Sequence, residues 1–178
     1  MTIRTTISEK YLAEQRLLHQ NPGYGVAAFK FASMIREMIK AYKIKSITDY
    51  GAGKLSLKAG LDEIGVQDID YFPYDPVFPE YGDAKPADLV CCIDVLEHIE
   101  PEFVERVMDD IASVTNKIGF FSIATAPAKK TLSDGRNAHL LQKPAAWWLP
   151  IISRNFEVLN LWRMGTNILM IVERVSRH

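Results

Sequence analysis

Asp49-Tyr50-Gly51-Ala52-Gly53-Lys54 sets the fold class of this 178-residue chain. Upstream, Ser46-Ile47-Thr48-Asp49-Tyr50 is a short β-type run. Downstream, a helical stretch from about Leu55 to Ile64 is closed by Gly65, a residue type favoured just past the last turn. Glycine at 51 and 53 lets the backbone turn sharply and approach a ligand closely. The following helix presents free N–H groups to polar or anionic ligand atoms. An NAD fingerprint requires G-x-G-x-x-G, and Ser56 stands at its third glycine position. Asp49 places a carboxylate at the strand end, where it accepts hydrogen bonds from a cationic amine or hydroxyls. Standing alone, the G-x-G also fits an ordinary tight turn between strand and helix.

The pattern on either side enlarges this unit. A second strand, about Ile69 to Tyr74, ends at Asp75-Pro76, close to where a ribose-binding acid belongs. Val77 to Pro86 has no period and reads as a loop. Leu89-Val90-Cys91-Cys92-Ile93 is a continuous apolar run, as expected of a strand covered on both faces. A helix starts near Pro101 and carries Val104, Val107, Met108, Ile111 and Val114 at helical spacing. Gly119 to Thr125 gives another buried strand, Ala126 to Gln142 is polar and irregular, and Pro144 to about Ser153 reads as a helix. Phe156 to Arg163 and Asn167 to Val175 are the last strands. Their link, Met164-Gly165-Thr166, is too short for a crossover helix, so they are antiparallel neighbours. The whole predicts an α/β fold: six strands, mostly parallel, with helices on both faces.

Ahead of the strands, Ser8 to Gln20 reads as a helix with Ser8 as N-cap, broken at Asn21-Pro22-Gly23. A second helix, Val26 to Tyr42, has one apolar face built from Ala28, Phe31, Ile35, Met38 and Ile39. Residues 1–44 are therefore expected to form a helical flank or lid on a main domain of residues 45–178. Hydrophobic residues at 48% and charged residues at 24% exclude a disordered or fibrous chain. A formal charge of −1 removes any bulk electrostatic case for nucleic acid. The longest apolar stretch, Ala145 to Ile152, is far short of the ~20 residues of a membrane span. Met1 to Thr6 lacks the apolar segment of a signal peptide. Adjacent Cys91 and Cys92 imply reduced, buried thiols, so a cytoplasmic protein is expected.

Asp49-Tyr-Gly-Ala-Gly resembles motif I of the class I S-adenosylmethionine-dependent methyltransferases. Asp94-Val95-Leu96-Glu97-His98-Ile99 is similar to their signature after the fourth strand, and the antiparallel C-terminal pair matches their last two strands. The resemblance covers about residues 45–175 and implies a Rossmann-like methyltransferase sheet with S-adenosylmethionine as cofactor. Gly51, Ala52 and Gly53 would shape the turn around the cofactor's amino-acid end, and Asp49 would anchor that end. Asp75 would take the ribose hydroxyls, with Ile93, Asp94 and Val95 beside the cofactor near the transfer site. Two departures stand out. Leu55 occupies a position where many members have a third glycine. Only 12 residues separate Asp75 from Asp88, so the family's third strand is expected to be missing or vestigial.

Methyl transfer needs alignment above all, and an alcohol or phenol acceptor gains from a base or metal that removes its proton. His98 and His139 are the candidates, against the plainer readings of a structural histidine and a surface-loop histidine. Asp94, Glu97, His98 and His139 together are also similar to the metal-binding set of the small-RNA 3′-terminal 2′-O-methyltransferases, although Asp94 stands in place of Glu and the loop has one histidine, not two. Trp147 and Trp148 suit either the core or stacking on a substrate. Lys129, Lys130, Arg136 and Lys143 suit either a solvated loop or a phosphate-bearing substrate. Pro-Cys and Asn-Pro-Pro-Tyr motifs are absent, which disfavours cytosine-C5 and amino-group DNA methylation. The expected function is S-adenosylmethionine-dependent methyl transfer to oxygen or nitrogen of a small-molecule or nucleic-acid acceptor. Two alternatives stay open: a protein that binds NAD(P) or S-adenosylmethionine without transferase chemistry, and a metal-assisted RNA ribose 2′-O-methyltransferase using a divalent ion.

Overall fold

Alternating apolar runs and amphipathic helices produce one twisted sheet in the computed structural model. It describes residues 5–175; Met1 to Arg4, where the expected flank and the reading of the N-terminus begin, and Ser176 to His178 lie outside the described residues. The strands are β1 (Ser46–Tyr50), β2 (Asp70–Tyr74), β3 (Ala87–Ile93), β4 (Thr115–Ala124), β5 (Phe156–Met164) and β6 (Asn167–Arg174). Their order is β2-β1-β3-β4-β6-β5. The pairings β1–β2, β1–β3 and β3–β4 are parallel, and β6 runs antiparallel to both β4 and β5. The loop between β2 and β3 holds only a 3-10 turn at Pro79–Tyr81, so the family's third strand is absent among the described residues, as expected, and β2 forms one margin of the sheet.

Strand β3 shows why its sequence carries no polar break. Leu89, Cys91 and Ile93 face helices α2 (Ala32–Ala41) and α3 (Ser56–Glu63), packed with Phe31, Ile35, Leu57 and Phe120. Val90 and Cys92 face α4 (Val104–Val114) and α5 (Ala145–Ile152), packed with Val107, Met108, Ile111 and Trp148. Burial pushes both cysteine thiols well above their ordinary pKa, which keeps them inert. Trp148 is wholly buried, so the core reading of that tryptophan holds. No helix among the described residues is long and apolar enough to cross a membrane.

Two elements differ from expectation. The helix expected from Val26 opens as a 3-10 stretch, Ala27–Phe31, before α2. Gly60 of α3 lies directly beneath it: a Cβ there would stand 2.9 Å from the Phe29 carbonyl oxygen, so the chain hugs α3 at the expense of regular α geometry. Strand β4 starts at Thr115, not Gly119, with no loop after α4. Thr115 closes that helix by donating its hydroxyl to the Ile111 carbonyl at 2.8 Å, and a bulge opposite Ala87 and Leu89 absorbs the polar residues that follow.

Helix α1 (Glu9–His19) lies over the C-terminal ends of the strands and is pinned at its start and at its middle. Ser8, its N-cap, donates its backbone N–H and hydroxyl to the Glu100 carboxylate at 2.8 and 2.6 Å. Glu14 receives the backbone N–H (2.9 Å) and the hydroxyl of Ser133 from the loop after β4. Tyr11 packs with Leu132 and Ala138 of the same loop.

Candidate active site

Parallel strands expose their carboxyl ends together, and an open sheet has its ligand crevice where neighbouring strands send their connections to opposite faces. Here that place lies between β1 and β3. A cavity of about 660 Å³ opens there, within the range of small-molecule sites. Its wall takes in Tyr50 to Gly53 after β1, Tyr74 to Val77 after β2, Ile93 to Val95 after β3 and Ala126 to Lys130 after β4.

The glycine turn is built as its composition requires. Gly51 has φ +83° and Gly53 φ +49°, both in the left-handed region. Their neighbours leave no room for a side chain: a Cβ on Gly51 would stand 2.4 Å from Val95 Cγ2, and one on Gly53 would stand 3.1 Å from the Gly25 carbonyl oxygen. The Gly51 and Ala52 N–H groups both donate to the Tyr74 carbonyl (2.7 and 3.0 Å), tying the turn to the end of β2. Asp75 accepts from Gly53 N at 2.9 Å and from Val77 N at 2.8 Å, so the expected ribose acid and the glycine turn form one unit. Leu55 has φ +59°. The backbone therefore keeps the left-handed residue that a third glycine would supply, and only the side chain departs from the family pattern.

Asp49 requires a correction. Alternation along β1 turns it to the same sheet face as Ile47, where it is 2% exposed and accepts the Tyr71 hydroxyl from β2. It does not form part of the cavity wall. Its carboxyl braces β1 against β2, and burial raises its pKa to about 7.

At the other end of the cavity, Asp94 ends β3 with φ +53°. Its Oδ1 accepts from Ser122 Oγ at 2.6 Å and from Asn167 Nδ2 at 2.9 Å. Two residues on, a 3-10 turn at Leu96–His98 is stitched to the distant loop: Leu141 N donates to the Glu97 carbonyl at 2.9 Å. That brings His98 and His139 into edge contact, with ring centroids 4.8 Å apart. His98 Nδ1 lies 2.8 Å from the Ala138 carbonyl oxygen and His139 Nδ1 2.7 Å from that of Ala126. A carbonyl oxygen only accepts, so in each neutral ring Nδ1 carries the proton and Nε2 is left with a lone pair. Burial, reinforced by His139, lowers the pKa of His98 to about 3. Glu97 is fully buried, with Oε1 accepting from Ala124 N at 2.8 Å and Oε2 without a partner. Burial and then the charge of Asp94 raise its pKa to about 8. Glu97, His98 and His139 can bring one ligand atom each to within 4.8 Å of the others. Asp94 stands outside this trio.

Helix α1 adds residues that the sequence pattern did not single out. Tyr11, Gln15, His19 and Tyr24 all line the cavity. Gln15 Nε2 donates to Tyr11 Oη at 2.6 Å, and Tyr24 Oη donates to Gln15 Oε1 at 3.1 Å beside the His98 ring. Lys54 Nζ donates to the Asn21 and Tyr24 carbonyls at 2.5 and 2.8 Å, holding the segment after α1 on the glycine turn. A helix with a weak apolar stripe gave no signal of these roles; only the N-cap serine and the Asn-Pro-Gly break were visible.

These buried groups set a pH dependence for the metal-free protein. Glu97 and Asp49 have folded pKa values above their ordinary ones, so the unfolded chain binds fewer protons and stability falls as pH rises through 7 and 8. His98, lowered from 6.5 to about 3, acts in the opposite sense only below 6.5. Melting temperature in the presence of a chelator is expected to fall between pH 6.5 and 8, and Glu97→Gln to remove much of the fall. A flat profile over that window would mean that neither carboxyl is held protonated.

No family model and no curated relative matches the sequence. Solved structures match the fold. One is a Burkholderia thailandensis 1,6-didemethyltoxoflavin-N1-methyltransferase with bound 1,6-didemethyltoxoflavin and S-adenosylhomocysteine, 15% identical, with a TM-score of 0.66 over 96% of this chain and 91% of that one. Another is the complex of DhpI with S-adenosylhomocysteine, 11% identical, with a TM-score of 0.60 over 96% of this chain and the full length of that one. A third is the Synechocystis PCC 6803 magnesium protoporphyrin IX methyltransferase with S-adenosylhomocysteine bound, 16% identical, with a TM-score of 0.54 over 83% of each chain.

Proposed function

This chain has the class I S-adenosylmethionine-dependent methyltransferase fold, and we propose on that premise that it transfers a methyl group from S-adenosylmethionine to oxygen or nitrogen of a small acceptor. The observation that carries the reading is that one cavity unites the glycine turn with two imidazoles whose Nε2 lone pairs are free. The turn suits the cofactor: glycines at 51 and 53 let the backbone pack against Val95 and Gly25 while still forming part of the cavity wall. Each oxygen of Asp75 keeps a second lone pair for ribose hydroxyls beyond its backbone bonds. S-adenosylmethionine, when bound, supplies the electrophilic methyl group.

The chain's own residues do the rest. Helix α1 and the loop after β4 both line the cavity and hold the acceptor in line. His98, kept neutral by burial, is a poor proton acceptor and serves as a fixed lone pair. His139 Nε2 then takes the proton that the acceptor oxygen or nitrogen loses as the methyl group arrives. Calorimetry with S-adenosylmethionine, S-adenosylhomocysteine and NAD tests the cofactor step. Binding of both sulfur ligands, in the micromolar range or tighter, with no heat from NAD is expected. Tight NAD binding without a response to either sulfur ligand would sink the reading, and binding without turnover on any acceptor pool would favour a protein that only holds the cofactor.

A second reading has its own observation. Glu97 Oε2 and the two Nε2 atoms are three acceptors, and a single proton shared between Glu97 and one imidazole leaves the other Nε2 without a donor. Glu97, His98 and His139 would hold a divalent ion of the kind that two imidazoles and a carboxylate suit, with a position open for the acceptor. Such an ion would lower the pKa of an acceptor hydroxyl. Asp94 would not join, because it stands outside the trio whose ligand atoms converge. RNA ribose is the narrower form of this reading; the cavity's volume and the near-zero net charge favour a smaller acceptor.

A further inference from the structure

We infer that the acceptor carries an anionic oxygen group, phosphate or carboxylate, and that Lys129 and Lys130 recognise it. The loop after β4 has four basic residues, and their surroundings divide them. Arg136 is ion-paired to Asp134 at 2.8 Å, and Lys143 lies over the Trp147 ring, 5.7 Å from its centroid. Lys129 and Lys130 form part of the cavity wall instead, and neither makes an ion pair among the described residues. Lys30, from the 3-10 stretch before α2, also lines that wall, but its ammonium lies over the Phe31 ring, 5.1 Å from the centroid, and is engaged there as that of Lys143 is over Trp147.

The carboxylates of the same wall make no ion pair with either lysine: Asp75 is bound to the backbone of the glycine turn, and Asp94 to Ser122 and Asn167. Two like charges adjacent in the chain repel one another, and a ligand anion relieves that repulsion. The lysines sit on a built loop. Asn137 closes it with bonds of 2.9 Å to both the N–H and the carbonyl of Ala128, Ala138 N donates to the Lys130 carbonyl at 3.0 Å, and Ser133 is clamped by Glu14. Tyr11 and Gln15 of α1 line the same cavity, whose volume of about 660 Å³ suits a small molecule. Calling this ligand the methyl acceptor rests on the transferase reading; the anion site itself does not.

The test titrates the protein, with and without S-adenosylhomocysteine, with inorganic phosphate, inorganic pyrophosphate and citrate, against sodium chloride at matched ionic strength. Saturable binding of a phosphate probe or of citrate is expected, and which of the two binds tells phosphate from carboxylate. The double variant Lys129→Ala/Lys130→Ala should weaken it about tenfold or more, as loss of charge-assisted bonds does. Its affinity for S-adenosylhomocysteine should stay within about twofold, and Lys143→Ala should change neither quantity. Wild-type protein that binds none of the three anions, or a double variant that binds them as well as wild type, overturns the inference. Failure of S-adenosylhomocysteine to bind while the anions still bind would instead overturn the transferase reading and leave the lysine site standing.

Discussion

Gly51→Ala is expected to abolish measurable S-adenosylhomocysteine binding and to lower stability by roughly 2–5 kcal/mol, from a left-handed penalty of ~1–2 and overpacking of ~1–3. The two costs have separate origins. At φ +83° an alanine is strained whatever its surroundings, and its Cβ would overlap Val95 Cγ2 at 2.4 Å. Adding Val95→Ala makes room for the methyl group and should recover the packing part alone. Gly65→Ala is the control: its φ is +73° but nothing lies within 4 Å of its Cβ, so it should lose only about 1 kcal/mol and keep ligand affinity. Calorimetry and chemical denaturation on the four proteins separate the terms. If Gly51→Ala binds S-adenosylhomocysteine like wild type, the turn is structural only.

The second large effect belongs to the histidines. His139→Ala should lower kcat by roughly 10²–10⁴, the usual worth of a positioned proton acceptor, and His98→Ala should lower it less, through lost positioning, with cofactor affinity almost unchanged in both. The cofactor turn comes from the ends of β1 and β2, whereas the histidines come from the 3-10 turn after β3 and the loop after β4. Under the metal reading, a chelator reproduces the loss, zinc or manganese restores it, and Glu97→Gln behaves like the histidine variants. Bound metal, measured by elemental analysis, must then fall in all three variants. With a base alone, the chelator has no effect on turnover. Full turnover in both histidine variants on the true acceptor would leave proximity as the whole source of rate.

The turn at 49–54, both margins of the parallel core and the antiparallel C-terminal pair were legible because each is a local signal: glycine placement, apolar runs, a three-residue link. The missing strand was legible as a shortage of residues between Asp75 and Asp88. What escaped were contacts between residues far apart in the chain. Glu14 reaches Ser133, Ser8 reaches Glu100 and Asn167 reaches Asp94, and no periodicity encodes such pairs. The start of β4 escaped because Asn116 and Lys117 are polar in a bulged segment. Asp49 was misplaced for a reason that strand alternation contains: Ile47 and Asp49 share a face, and that face meets Tyr71 and the helices, not the cavity. Of four basic residues in the loop after β4, composition could not tell the two in the cavity wall from the two engaged elsewhere.

The absence of a third strand also decides where this molecule is sticky. Strand β2 ends the sheet on one side, and Pro73 stands in it opposite Asp49 with no N–H to offer an incoming chain. That side cannot template a neighbour. The opposite margin, β5, is nine residues long and leaves Leu159, Leu161 and Met164 about 40% exposed. Its only protections are the register shift between Val158 and Asn160 and the charges of Glu157 and Arg163. Concentrated solutions of this protein should therefore associate through β5, and a lysine at Leu161 is the substitution that would keep them clear.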